Sequence, residues 1–358
     1  MTESEPSAAD AANGSGKKKS AHLCVDDFLK TLLDARSLST AFRKGLVDFL
    51  LEKGTAPRDQ LEKQCGADGR GMALLLDLLV ANGVVEGRNG VFTLSGNFLQ
   101  ALKYRDLLEL KIDLCHFGAC DLLDHFDLLI CDPGRFMKEA RTYRLFSYEC
   151  CREDTEENRL RTGRWMRITT ILTKYEAQAC LAHHDFGSFR RLLDIGGNSG
   201  EFALQVCRVH PCITATVLDL PVVCRIGREH VRGTPEAARI AFVEGNALVD
   251  PLPAGHDLVV FKSVLHDWPE PGAAELLSRV YRRLEPGGTV LIFEREQAGI
   301  GPAGPACSAI PFLLFHHSFR SPAFYADHLG ILGAEEIGIR RVDLEMPFLL
   351  ITARKPLP

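Results

Sequence analysis

Residues 192–200 have the sequence LLDIGGNSG, a glycine-rich turn between a predicted buried strand and a predicted helix. Gly196 and Gly197 permit positive φ angles and let the backbone approach a ligand closely. Asp219 ends the next predicted strand, 22 residues after Gly197. An acidic side chain at that distance accepts hydrogen bonds from both hydroxyls of a ribose. The spacing favours a nucleoside-binding site; the alternative is a tight turn in another kind of α/β protein.

The residues around the turn favour one nucleoside over others. The turn does not match GxGxxG, and Asp194 precedes it within the strand. A carboxylate there suits a cationic or amine-bearing ligand better than a pyrophosphate. The helix that follows lacks the Lys-Ser/Thr pair of a phosphate-binding P-loop. We therefore expect S-adenosylmethionine, which has a ribose but no phosphate, as the cofactor, with NAD as the second candidate.

Strands and helices alternate from residue 190 onward. The predicted strands are RRLLDIGG, TATVLDL, IAFVEG, DLVVFKSV and TVLIFE, with predicted helices between most of them. This alternation predicts an α/β fold with a parallel sheet wrapped by helices. The chain ends in two further strands, EEIGIRRVDL and PFLLITARK, joined by a short turn. A terminal hairpin of this kind argues against a nicotinamide dehydrogenase.

The first 110 residues have a different sequence pattern, with predicted helices in place of alternating strands and helices. Apolar residues recur at helical spacing over 24–51, two short helices are predicted at 59–64 and 71–80, and a hairpin follows around Arg88-Asn89-Gly90. Helices followed by a hairpin are typical of a winged-helix domain. The last of these helices, GMALLLDLLV, has no Lys or Arg, whereas a DNA-reading helix is basic. We interpret this domain as a packing or dimerisation unit.

Composition sets further limits. The chain has 358 residues, a net charge of −5, 46% hydrophobic and 25% charged residues, which predicts two domains of a globular protein and argues against nucleic-acid binding. No apolar stretch is long enough for a membrane span, and the N-terminus lacks the apolar core of a secretory signal. Twelve scattered cysteines without a CxxC pair indicate structural thiols in a reducing, cytoplasmic compartment. The predicted segments are a disordered tail at 1–22, a winged-helix dimerisation domain at 23–110, connecting helices over the acceptor pocket at 111–185, and a cofactor-binding domain at 186–358.

Five segments in order and spacing carry a family resemblance. They are LLDIGGNSG, VLDLP, FVEGNALVDPLP, FKSVLHDW and LEPGGTVLIFE, and they resemble the caffeate/acetylserotonin-type O-methyltransferases. The resemblance implies a Rossmann-like, seven-stranded S-adenosylmethionine-binding domain behind an N-terminal winged-helix domain that forms a homodimer. It also implies a small-molecule acceptor, a phenol or enol of secondary metabolism, that receives the methyl group on oxygen.

The resemblance also implies roles for individual residues. His266 matches the general base and Glu294 the carboxylate that orients it. Asn246 stands where the family usually has an aspartate, and Lys262 matches a cofactor contact, although a solvated lysine at a strand end is an alternative. The residues implied to bind the cofactor are Asp194, Gly196, Gly197, Asp219, Leu220, Asn246, Ala247 and Lys262.

One segment departs from the family pattern. Where the family has GG-x-E-R-T, this chain has FHHSFRS at 315–321, so that Phe319 replaces a second carboxylate. An alternative is therefore C-methylation of an α-keto acid or another carbon acid, assisted by a metal on His266, His316 and His317. Two further alternatives are a relative that binds the cofactor without methyl transfer, such as a decarboxylase or hydroxylase, and a ligand-sensing winged-helix regulator.

Overall fold

The computed structural model describes residues 20–297, 299 and 304–358. Most of the tail predicted at 1–22 therefore lies outside the described residues. The apolar run at 24–51 contains the end of a 3₁₀ helix, Ala21–Phe28, and two α-helices. Gly45, with a left-handed φ of 73°, separates the two α-helices. Thr31 and Asp34 form a capping box at the first α-helix, which fixes its start. The helices and strands of the first hundred residues are α1 (Leu32–Arg43), α2 (Leu46–Lys53), β1 (Thr55–Pro57), α3 (Arg58–Cys65), α4 (Gly69–Ala81), β2 (Val85–Arg88), β3 (Val91–Leu94) and α5 (Gly96–Ala101).

The predicted hairpin at the end of this segment is confirmed. β2 and β3 pair antiparallel around Asn89 and Gly90, whose φ angles of 50° and 76° are those of the tight turns that suit strand twist. The short strand β1 adds to the outer edge of β3 and makes a three-stranded sheet. Three residues are too few for a recognisable alternation of polar and apolar side chains, so β1 was not predicted.

Two long helices dominate the middle of the chain. The helices here are α6 (Arg105–Cys131), α7 (Pro133–Glu139), α8 (Arg141–Leu145) and α9 (Glu156–His183). The boundary predicted between residues 110 and 111 therefore falls inside a helix. Tyr175 of α9 and Cys307 pack into the same hydrophobic core as the N-terminal helices, so this core includes residues that are distant in the sequence.

The C-terminal half contains the predicted sheet. Its helices and strands are β4 (Arg191–Ile195), α10 (Glu201–Val209), β5 (Thr214–Asp219), α11 (Pro221–Val231), β6 (Ile240–Glu244), β7 (Leu258–Lys262), α12 (Glu270–Arg283), β8 (Thr289–Arg295), α13 (Ile310–Leu313), α14 (Pro322–Ile331), β9 (Glu335–Asp343) and β10 (Pro347–Arg354). The strand order is β6-β5-β4-β7-β8-β10-β9, with five parallel strands and β10 antiparallel to both neighbours. The α/β fold with a seven-stranded sheet and a terminal hairpin is thus confirmed.

The central strand β4 shows why this sheet is covered on both faces. Leu192 packs in the core on one side, and its neighbour Leu193 packs in the core on the other, as expected for a parallel strand between two helical layers. The carboxyl ends of β4, β5, β7 and β8 meet at one edge, where open α/β sheets bind ligands. Among the described residues, no helix combines the length and apolar composition that crossing a membrane requires.

Candidate active site

A cavity of about 250 Å³ lies at the carboxyl edge of the sheet. Gly196 lines it and adopts a positive φ of 61°. Gly197 lies behind it, where a Cβ would come within 2.6 Å of the Asp194 carboxyl carbon. A side chain at this position would therefore collide with Asp194 and displace either this carboxyl or the turn, which explains the glycine.

Asp194 supports the turn from below and is not one of the cavity-lining residues. Its side chain is 1% exposed, and its Oδ2 has no hydrogen-bond partner within the described parts of the chain. Burial, reinforced by the nearby negative charge of Asp219, raises the pKa of Asp194 to about 7. This carboxyl therefore stays largely protonated at pH values below 7.

Asp219 faces the cavity from the end of β5. Its carboxylate accepts hydrogen bonds from the backbone N–H of Asn198, at 2.8 Å, and from that of Leu220, at 2.7 Å. Burial raises the pKa of Asp219 to about 6, although these two bonds act in the opposite direction. Leu220, Asn246 and Ala247 line the same part of the cavity. Carboxylate oxygens beside apolar walls suit a ribose diol with an adjoining purine.

His266 and Glu294 form a hydrogen-bonded pair. The imidazole Nδ1 lies 2.7 Å from Glu294 Oε2, and Glu294 Oε1 accepts the backbone N–H groups of Val264 and Leu265, each at 2.7 Å. Glu294 is fully buried, whereas the imidazole is 15% exposed and lines the cavity. Burial by itself would lower the pKa of His266, but the charges of Glu294 and Asp267 outweigh it and raise the pKa above its ordinary value.

The opposite edge of the imidazole faces Asp267 and Phe319. His266 Nε2 lies 3.4 Å from Asp267 Oδ1, and the Tyr148 hydroxyl donates to Asp267 Oδ2 at 2.6 Å. The Phe319 ring packs edge-to-face on the imidazole with centroids 5.7 Å apart. A buried aromatic ring thus occupies the side on which the family pattern has its second carboxylate.

Lys262 lies at the end of β7 in a buried ionic cluster. Its ammonium pairs with Glu176 and donates to the Thr173 hydroxyl at 2.9 Å, and Arg295 pairs with Glu176 and Glu345. Its side chain is 8% exposed, so the alternative of a solvated lysine is wrong. Lys262 also lines the cavity, and its contact with the cofactor stays a prediction.

The alternative metal site is not assembled. His266 directs Nδ1 at Glu294, whereas His317 directs Nε2 at the backbone carbonyl of Leu129 at 2.9 Å. The cavity-lining residues do not include His316 or His317. No group of three His, Cys, Asp or Glu side chains across the described residues is arranged to hold a metal ion. The prediction of a metal on His266, His316 and His317 was wrong, because His317 faces α6 and neither loop histidine lines the cavity with His266.

The sequence of the middle of the chain matches a known family. Residues 134–310 match the family model of the O-methyltransferase domain. A 3-hydroxy-5-methyl-1-naphthoate 3-O-methyltransferase from Streptomyces sahachiroi is 27% identical over 327 residues, which cover 87% of this chain and 89% of that protein. The chain belongs to the S-adenosylmethionine-dependent O-methyltransferase family. The acetylserotonin O-methyltransferase of Gallus gallus is also 27% identical to this methyltransferase, over 86% of this chain and 91% of that protein.

Solved structures share the fold of this methyltransferase. Human N-acetylserotonin methyltransferase in complex with S-adenosylmethionine superimposes with a TM-score of 0.69 at 22% identity, covering 95% of this chain and 99% of that one. A mitomycin 7-O-methyltransferase gives a TM-score of 0.67 at 21% identity, over 89% and 94% of the two chains. The similarity extends over the N-terminal helices as well as the sheet.

Several residues around the imidazole were not singled out from the sequence. Tyr148 precedes a 3₁₀ turn and bonds to Asp267 across 119 residues. Arg320, beside Phe319, donates to backbone carbonyls of the segment that carries His266. The only sequence signal for Arg320 was its place in the segment that departs from the family pattern. No local pattern indicates Tyr148.

Proposed function

We propose that this methyltransferase transfers a methyl group from S-adenosylmethionine to a phenolic or enolic hydroxyl of a small aromatic molecule, with His266 as general base. One observation carries the proposal. The imidazole paired with Glu294 opens onto the same cavity as Asp219 and the glycine turn. A base and a nucleoside site that share a cavity can bring an acceptor hydroxyl and an electrophilic methyl group together.

The cofactor site consists of residues that suit this nucleoside. Asp219 would accept hydrogen bonds from the ribose hydroxyls. Leu220 and Ala247 would flank the adenine ring, and Gly196 would leave room for the methionine part. When bound, S-adenosylmethionine supplies an activated methyl group on a positively charged sulfur. Holding donor and acceptor in line can contribute about 7–11 kcal/mol to lowering the barrier.

His266 would remove the proton of the acceptor hydroxyl. A phenol has a pKa near 10, by analogy with tyrosine, so it is almost entirely neutral at pH 7 and gains from a base as it attacks. Because Nδ1 faces Glu294, the proton of the neutral imidazole resides on Nδ1 and the lone pair on Nε2 is directed away from Glu294. Glu294 then stabilises the imidazolium that forms.

The remaining walls favour an aromatic acceptor. Seven Phe, Tyr and Trp rings line the cavity: Phe146, Tyr148, Trp165, Trp268, Phe312, Phe315 and Phe319. Large aromatic side chains contact planar ligands over a large apolar area. Two relatives are named for O-methylation of a hydroxynaphthoate and of acetylserotonin, which are planar aromatic hydroxyl compounds.

Methyl-labelled S-adenosylmethionine tests the proposal. The enzyme is incubated with hydroxynaphthoates, N-acetylserotonin, simple phenols, α-keto acids and amines, and the products are read by mass spectrometry. We expect a labelled O-methyl ether from at least one phenol and loss of turnover in His266→Asn with intact cofactor binding. Labelled product from α-keto acids or amines alone, or a fully active His266→Asn, would contradict it.

We further propose that the N-terminal domain is a winged-helix domain that forms a homodimer. We also propose that the enzyme acts in secondary metabolism in the cytoplasm. The twelve cysteines are all free thiols, which fits a reducing compartment. Exposed leucines occur on this domain, with Leu33 57% and Leu74 62% exposed, and a second copy would bury such side chains. Light scattering at several concentrations tests the dimer, and replacing both leucines by serine should yield monomers.

A further inference from the structure

We propose that Arg320 is a positioning residue that holds the catalytic turn, residues 264–268, in the geometry that His266 needs. The inference rests on the proposed role of His266 as general base. Arg320 donates from Nη1 to the carbonyl of Leu265 at 2.7 Å and from Nη2 to the carbonyl of Trp268. These two carbonyls flank His266 and Asp267, so one guanidinium bridges both ends of the segment that carries the base.

The surroundings of Arg320 show that this bridge is its main polar contact. The residue is 6% exposed, and it forms no ion pair with a carboxylate anywhere in the described chain. A buried cation is costly unless its donors are satisfied. Here Nη1 and Nη2 donate to backbone carbonyls, whereas Nε has no hydrogen-bond partner among the described residues. The guanidinium also lies 5.0 Å from the ring centroid of Phe324.

The catalytic turn needs such support because it has little structure of its own. It contains a single 3₁₀ turn, Leu265–Asp267, whose internal hydrogen bonds are long, at 3.2 and 3.4 Å. Ser263, just before it, has a φ of 54°, which is unfavourable for a residue with a side chain. Glu294 binds the N–H groups at the start of the turn. Arg320 binds its carbonyls, so the backbone around the imidazole is fixed from two directions.

Both supports are anchored at the same strand. Glu294 belongs to β8. The backbone of Arg320 forms an isolated parallel β-bridge with Glu296, which follows β8, and its carbonyl accepts a hydrogen bond from the N–H of Gln297 at 3.2 Å. Phe319, adjacent to Arg320, places its ring against the imidazole. A displacement of Arg320 would therefore change the position of the imidazole relative to Glu294 and to the acceptor.

Two substitutions separate geometry from charge. Arg320→Lys keeps the charge but replaces the two nitrogens of the rigid fork, each directed at one carbonyl, by a single nitrogen on a flexible stem. Arg320→Met keeps the apolar stem alone. A misplacement of about 1 Å at a reacting group can cost 10²-fold in rate. We expect kcat, for the phenol that the wild type methylates fastest, to fall about 100-fold in Arg320→Met and about 10-fold in Arg320→Lys. The Kd of S-adenosylmethionine, measured by calorimetry, should stay within about twofold.

The pH profile gives a readout that a purely structural role would not change. An imidazole that loses its contact with Glu294 keeps the charge of Asp267 but loses the larger of the two charges that oppose burial, so its pKa falls. The acid limb of kcat/KM should therefore move to lower pH in Arg320→Lys, where the charge is unchanged. NMR titration of the histidine side chains, with His266→Asn to assign the resonance, should show the same shift without any acceptor.

Arg239 is a matched control. It donates to the backbone carbonyls of Ile213 at 2.8 Å and Cys207 at 2.7 Å, near the amino end of β5 and away from the cavity. Arg239→Lys and Arg239→Met should lower the melting temperature and leave kcat and the pH profile unchanged.

The outcomes distinguish the two proposals. Arg320 variants whose kcat and acid limb match the wild type would overturn the positioning role, provided that His266→Asn is inactive. An active His266→Asn would instead overturn the proposed function. Loss of cofactor binding together with turnover in both Arg320 variants would also overturn the inference, because it would show general collapse rather than a misplaced turn. If Arg320→Met does not fold, Arg320→Lys decides.

Discussion

Replacing Glu294 by glutamine should disable the base while leaving the fold in place. Glu294 Oε1 accepts two backbone N–H groups, and Oε2 faces His266 Nδ1. A glutamine has one oxygen, and the two N–H donors can be satisfied only by that oxygen. Its NH₂ group must then face Nδ1. The imidazole can accept from this NH₂ only in the tautomer that carries its proton on Nε2, the nitrogen that should receive the proton of the acceptor.

The size of the effect follows from this change of tautomer. General base catalysis contributes about 10²–10⁴-fold to the rate. In another enzyme, an aspartate-to-asparagine change beside a catalytic histidine lowers kcat about 10⁴-fold because it reverses the tautomer of the imidazole in the same way. We expect kcat of Glu294→Gln to fall by about 10³-fold, within that range. The pKa of His266 should also fall, because burial is no longer opposed by the Glu294 charge.

Initial rates of S-adenosylhomocysteine formation, with cofactor Kd measured separately, test this expectation. Glu201→Gln is the matched control, because Glu201 is a buried carboxylate 2.6 Å from His230 Nε2 and lies outside the cavity. Its kcat should stay within about threefold of the wild type. If Glu294→Gln retained the same activity as this control, neither the tautomer argument nor the role of His266 could stand.

Four further outcomes can be measured on the same protein. The acid limb of the activity–pH profile should have its midpoint above pH 6.5, because the pKa of His266 is raised and the imidazole acts as a base only when neutral. A midpoint below pH 6.5 would contradict this. Cofactor affinity should weaken below about pH 6, where Asp219 takes up a proton, and Asp219→Asn should be weak at every pH. Asp194→Asn should stabilise the fold by up to about 4 kcal/mol at pH 8 and have no effect near pH 4. The Asp194 carboxyl stays protonated up to about pH 7 in the folded chain but only up to about pH 4 in the unfolded chain. The free energy of unfolding of the wild type therefore falls as the pH rises from about 4 to about 7. Lys262→Met should cost about 3 kcal/mol of unfolding free energy by breaking its pair with Glu176; a change in cofactor Kd without that loss would show that binding is its main role.

The alternation of strands and helices after residue 190 was predictable because each element carries its own pattern. The five predicted strands correspond to β4–β8, and the terminal hairpin corresponds to β9 and β10. The turn at Asn89 and Gly90 was equally local, since two positive φ angles require such residues. Periodicity alone gave neither the continuity of α6 across residue 110 nor the division of the apolar run at Gly45, whose φ is positive.

The same distinction applies to the site. Asp219 and the glycine turn are close in sequence and were placed together from spacing. His266 and Glu294 were paired through a family resemblance, and their contact across 28 residues is now explicit. Other contacts join chain segments that only the folded molecule brings together. They are the hydrogen bond of Tyr148 to Asp267, that of Arg320 to the Leu265 carbonyl, and the ion pair of Glu176 with Arg295.

The buried carboxyl groups of the site divide according to the partners they already have. Glu294 receives two backbone N–H groups and faces an imidazole, so its pKa is lowered despite the burial that would raise it. Asp194, which lacks a hydrogen-bond donor on one oxygen among the described residues, and Asp219, which faces the cavity, have raised pKa values because burial dominates. A bound nucleoside with hydroxyl donors would supply what Asp219 lacks, whereas Asp194 does not line the cavity and would respond only to the positive charge of the ligand. The division therefore separates Glu294, whose partners are all supplied by the protein, from Asp219, whose open side faces the cavity where the proposed cofactor would bind.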